Sequence, residues 1–82
     1  MSPKAIGDIE GYKFSFFSNE GSEPPHVHVY KGNGSAKFWI SPLGISLEEC
    51  YGFKKQELKR ASQLVLENKE EILKQWYLRK GK

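Results

Sequence analysis

The sequence predicts an α+β fold: a three- to four-stranded antiparallel sheet followed by one long C-terminal helix packed across one face. Three observations lead there. Alternating apolar and polar residues run through positions 12–40, interrupted by turn formers. An Asn33-Gly34 pair, flanked by two such alternating stretches, marks a hairpin. Positions 55–79 hold no proline or glycine and place apolar residues at helical spacing.

Residues 1–11 are polar with two glycines and read as a loosely held lead-in, with at most a short edge strand at Lys4–Ile9. Tyr12–Ser18 reads as a strand with Tyr12, Phe14 and Phe16 inward. The run Asn19–Pro25 is a loop, and because its prolines lack amide donors the next strand starts at or after His26. His26–Lys31 and Ser35–Ile40 then form the hairpin. A turn at Asn33-Gly34 would pair Val29 with Phe38 and His28 with Trp39. This register puts Val27, Val29, Ala36, Phe38 and Ile40 on one face and His28, Tyr30, Lys37 and Trp39 on the other. A slip of one residue would drive Lys37 and Trp39 into the apolar set.

Leu43–Glu48 is expected as a short further strand with Leu43, Ile45 and Leu47 on one side. Leu58, Ala61, Val65, Ile72 and Trp76 then form a helical stripe, with Leu64, Leu73 and Tyr77 beside it. A break near Asn68-Lys69 is the alternative to one helix, but neither residue forces a stop. Gly81 would end the helix, and Lys54 is a poor N-cap. One domain over residues 1–82 results, with the sheet in 12–48 and the helix in 54–80.

Composition bounds the function. Eighty-two residues with one cysteine, Cys50, leave no internal disulfide and no Cys-x-x-Cys pattern. No apolar signal region follows Met1 and no run reaches membrane-spanning length, so a cytoplasmic location is expected. The net charge of +3 divides into −2 over residues 1–53 and +5 over residues 54–82. A basic C-terminal segment could meet RNA or an acidic protein, although its alternating acids and bases favour a solvated helix face.

The best candidate site is Pro24-Pro25-His26-Val27-His28-Val29-Tyr30. In a strand, His26, His28 and Tyr30 share one side, and the hairpin adds Lys37 and Trp39. His26 and His28 could act as general acid and base, with Lys37 and Lys13 holding a phosphate and Tyr30 or Trp39 stacking a base. The two histidines could also ligate a divalent metal. A catalytic zinc usually has a third protein ligand, and the spacing singles out none of Glu23, Cys50 or Glu48, so no cofactor is expected. The same Tyr30 and Trp39 side chains are what a protein-binding hot spot presents.

Phe14-x-Phe16-Phe17-Ser18-Asn19, Pro24-Pro25-His26-Val27-His28-Val29, Ala36-Lys37-Phe38-Trp39, Gly52-Phe53 and a helix with Glu67-Asn68 and a late Trp76 resemble the DUF4160 family of small bacterial proteins. The likeness runs from about Ile9 to Tyr77 and departs at Lys54, where relatives often carry a capping serine. The family's activity is unknown. The resemblance implies a component of a toxin–antitoxin module, encoded beside a small DUF2442-type partner. Two expectations follow: a protein partner docked on the His26/His28/Tyr30/Trp39 face, or a metal-independent ribonuclease built on His26 and His28. A helix longer than the sheet could also join two copies as a homodimer.

Overall fold

The computed structural model describes residues 4–16 and 24–80. Five strands form one antiparallel meander: β1 (Lys4–Ile9), β2 (Tyr12–Ser15), β3 (His26–Lys31), β4 (Gly34–Ser41) and β5 (Gly44–Tyr51), in that spatial order. Two helices follow, α1 (Lys55–Glu67) and α2 (Lys69–Lys80). The α+β class and the antiparallel sheet agree with the sequence reading, whereas the strand count and the single helix do not.

Two edge strands account for the larger sheet. β1 carries Gly7 and Asp8 within a weakly alternating stretch, yet it pairs with β2 through Ile6↔Phe14 and Ile9↔Tyr12. Ala5 is buried there, so this part of the expected lead-in belongs to the core. The connection is a two-residue turn with Glu10 at φ 55° and Gly11 at φ 82°. That left-handed pair suits the right-handed twist of a hairpin. β5 starts at Gly44 rather than Leu43, because Pro42 and Leu43 form the turn that brings Gly44 opposite Ser41. Leu43 therefore projects into solvent, 98% exposed.

The β3–β4 hairpin turns at Gly32-Asn33, not Asn33-Gly34. Val27 faces Phe38, Val29 faces Ala36 and His28 faces Lys37, two residues away from the expected register. Gly32 has φ 58° while Asn33 does not enter the positive region, which is the pattern of a turn with glycine first. Packing pins this choice. Gly34 is buried beneath the Phe53 ring, and a Cβ there would lie 2.2 Å from its Cδ1. Because the shift is two residues, each side chain keeps its side, and the predicted apolar set is the observed core. Val27, Val29, Ala36, Phe38 and Ile40 are all buried.

Tyr12, Phe14, Phe16, Ala61, Leu64, Val65, Ile72 and Trp76 complete that core. Phe17 and Ser18, expected in the strand, and Gly81, expected as the helix stop, lie outside the described residues. The helices cover one side of the sheet. The Tyr12 hydroxyl donates to the Glu57 carbonyl at 3.1 Å, and Arg60 Nε donates to Glu10 Oε1 at 2.9 Å. Both tie α1 to the β1–β2 end. Lys54 cannot accept from the first helical amides, but its own N–H donates to Glu57 Oε1 at 2.8 Å, half of a capping box.

The helix breaks at Asn68 (φ −107°, ψ 16°). Its backbone N–H donates to the Leu64 carbonyl at 3.1 Å and its side-chain amide to the same carbonyl at 2.8 Å. The Asn68 carbonyl then accepts from Ile72 at 2.9 Å and so begins α2. Just past the break, Lys69 Nζ donates to the Pro42 carbonyl at 2.7 Å and links α2 to the β4–β5 turn. Beyond the break, Ile72 and Trp76 are buried and close the core rather than overhang it. Among the described residues, no helix is long and apolar enough to cross a membrane.

Candidate functional site

Strand parity sends Lys13, His28, Tyr30, Lys37 and Trp39 to the side of the sheet opposite the buried Phe14, Val27, Val29, Ala36 and Phe38. Lys13 lies opposite Tyr30, and Ser15 opposite His28, across the β2–β3 ladder. His28 lies opposite Lys37, and His26 opposite Trp39, across β3–β4. The His28 and Tyr30 rings run nearly parallel, with centroids 6.4 Å apart and planes at 11°. Partial burial pushes the Tyr30 phenol above its ordinary pKa, so it remains a neutral donor across the physiological range.

Trp39 is held from two directions. Lys37 Nζ sits 4.5 Å from its ring centroid, a cation–π geometry. Its indole N–H donates to Glu48 Oε1 at 2.6 Å. The Glu48 contact depends on a bulge. Lys37 pairs with Glu49 and Phe38 with Leu47, which leaves Glu48 as the extra residue of β5. Bulges commonly re-aim one side chain in this way. An apolar cleft of about 380 Å³ adjoins the indole, lined by Pro24, Trp39, Ile40, Leu43 and Ile45 among others.

His26 does not join the open group. It is fully buried, with its ring 4.9 Å from Trp76 of α2, 5.5 Å from Trp39 and 5.4 Å from His28. Its Nδ1 lies 3.0 Å from the Pro24 carbonyl, and Ile40 donates to the Pro25 carbonyl at 2.9 Å just beyond. Sitting at the first position of β3, His26 fills the seam where the sheet's two faces meet the end of α2. Alternation along a strand predicts a side but not this cover, which comes from an element fifty residues later.

The sequence placed Lys13, His28, Tyr30, Lys37 and Trp39 together, and the structure brings them together. It withdraws His26 from solvent. Sequence reasoning missed the cleft and the parts that Glu48 and Leu43 play beside Trp39, although Ser41-Pro42-Leu43-Gly44 has the composition of a turn that would leave its leucine outside. Of the metal-ligand candidates, Cys50 faces the core opposite Ala36, Glu48 is engaged by Trp39, and Glu23 lies outside the described residues. No group of three His, Cys, Asp or Glu side chains that could hold a metal ion occurs among the described residues.

No curated protein and no solved structure matches the chain. The resemblance carried by the Phe14, Pro24–Val29, Ala36–Trp39 and Trp76 segments is matched by a family model. Residues 11–77 fit the domain of unknown function DUF4160, and the chain belongs to that family.

Proposed function

We propose that the chain is a small component of a toxin–antitoxin-like module and acts by binding a protein partner of the DUF2442 type. That partner would dock on His28, Tyr30, Lys37 and Trp39. The observation supporting this reading is the fixed Trp39 indole, clamped by Lys37 and Glu48 beside an apolar cleft. An aromatic side chain already held in place loses little freedom on binding, and aromatic anchors beside pockets dominate interface energies. The parallel His28 and Tyr30 rings extend the same patch.

The ribonuclease reading meets a geometric obstacle. A two-histidine proton shuttle needs both rings at the substrate, and His26 is closed off beneath Trp76 and Trp39.

The test is co-expression with a DUF2442-type protein, followed by calorimetric titration of the purified pair. Tyr30→Ala and Lys37→Glu should each weaken binding about tenfold or more, equivalent to about 1.4 kcal/mol. Circular dichroism should show both variants folded. No complex, or a complex indifferent to both changes, would refute the docking face. Total bacterial RNA incubated with and without EDTA supplies the second arm. Cleavage by the wild type that His26→Ala/His28→Ala abolishes would replace the proposal with the nuclease.

A further inference from the structure

Leu43 stands apart from the other leucines on the surface. Leu47, Leu66 and Leu78 are 45%, 54% and 55% exposed, whereas Leu43 is 98% exposed. A lone exposed leucine needs no explanation by itself. Two features of its surroundings set this one apart.

The first is the turn that carries it. Pro42 has its φ fixed by the ring, and Ser41 faces Gly44 across the closing pair of the hairpin. The Leu43 N–H donates to the Ser41 hydroxyl at 3.2 Å, a local side-chain bond of the kind that holds turns in shape. From α2, Lys69 Nζ donates to the Pro42 carbonyl at 2.7 Å. The backbone under Leu43 is thus tied within the turn and to a helix.

The second is the neighbour. Leu43 and Trp39 line the same apolar cleft, together with Pro24, Ile40 and Ile45. A body that settles on the indole therefore meets the leucine as part of one surface. That surface is a projecting side chain beside a hollow, and its complement is a pocket beside a projection, which a folded protein supplies and a fluid bilayer does not. The Glu48 carboxylate at the indole N–H also opposes approach to anionic headgroups.

We infer that Leu43 is an anchor for the protein partner, resting on the docking proposed above, and that Lys69 positions the turn that presents it. The docking face then extends past His28, Tyr30, Lys37 and Trp39 to the β4–β5 turn. The partner offers an apolar pocket to Leu43 and an apolar side chain to the cleft. A leucine already held in place loses little freedom when it is enclosed, and interface energy concentrates in such water-free pockets.

Calorimetric titration with the purified DUF2442-type protein tests this. Leu43→Ala should weaken binding about tenfold or more, and Leu43→Met should keep most of the affinity. The melting temperature of the free chain should be unchanged by either, because the side chain is exposed. Lys69→Met should weaken binding about threefold in the wild-type chain and add nothing in a Leu43→Ala chain, the non-additivity of a residue that acts through another. Binding that Tyr30→Ala weakens and Leu43→Ala leaves intact would overturn the anchor while the docking face stands. Equal losses from Lys69→Met in both chains would overturn its positioning role. Absence of a complex would overturn anchor and docking face together. A concentration-dependent dimer in sedimentation velocity that Leu43→Ala dissolves would also overturn the assignment, since a second copy would then hold the leucine. Phosphatidylserine vesicles that carry down the wild type but not Leu43→Ala would overturn it in favour of a membrane.

Discussion

Gly34→Ala should destabilise the protein only while Phe53 is present. The position is backbone-neutral, since Gly34 is not among the residues with positive φ. On backbone grounds alone an alanine there would stabilise by about 0.4–1 kcal/mol, through a less mobile unfolded chain. The clash reverses the sign. A Cβ would meet Phe53 at 2.2 Å (Cδ1), 2.6 Å (Cε1) and 3.0 Å (Cγ). The ring also packs edge-on against Tyr12, with centroids 6.0 Å apart, so moving it sacrifices that contact. Overpacking of this kind costs about 1–3 kcal/mol. At about 4–8 °C per kcal/mol for a domain of this size, a 2 kcal/mol loss lowers Tm by about 8–16 °C. Urea unfolding followed by tryptophan fluorescence measures it, with an unchanged m-value marking a true stability change. In a Phe53→Ala background the same alanine should be neutral or stabilising, and the double-mutant cycle would report coupling of 1 kcal/mol or more, about the energy of the removed clash. Equal costs in both backgrounds would refute the argument that Phe53 selects the Gly32-Asn33 turn.

Trp76→Ala should cost about 3–5 kcal/mol, because it removes a buried indole packed edge-on against Phe16 at 5.3 Å and beside His26. Thermal unfolding checks the loss, and the variant should also open His26 to solvent, visible as a changed imidazole signal in a histidine-selective NMR spectrum. The Arg60 hydrogen bond and charge hold the Glu10 carboxyl below its ordinary 4.5. A group with a lowered folded pKa contributes stability above its unfolded pKa and loses it as pH falls through the folded value. Arg60→Gln should therefore raise the Glu10 pKa toward 4.5 in an NMR titration, with a small stability change because the pair is exposed. Lys37→Ala should uncover one face of Trp39 and increase acrylamide quenching, whereas an unchanged quenching constant would remove Lys37 from the indole clamp.

The parts of the fold that follow from local alternation were legible. Buried Val27, Val29, Ala36, Phe38 and Ile40, and the opposite set of His28, Tyr30, Lys37 and Trp39, depend only on the two-residue period of a strand. The edge strands were harder to see, because a strand paired on one side and exposed on the other carries a diluted pattern. β5 holds Ser46, Glu48 and Glu49 in solvent, and β1 interrupts its apolar residues with Gly7 and Asp8. The helix break was hidden for a different reason. Val65, Asn68, Ile72 and Trp76 continue the three-to-four spacing across it, so periodicity alone is the same for one helix or two.

By itself the sequence determined the class of fold, the membership of each face and the composition of the open site, all of which rest on short-range periodicity. Tertiary structure decided the rest. Phe53 settling on Gly34 chose the hairpin register, Lys69 reaching Pro42 tied the start of α2 to the β4–β5 turn, and Trp76 returning to β3 buried His26. Each of these is a contact between residues far apart in the chain, where the geometry of close packing decides and no local pattern carries the information.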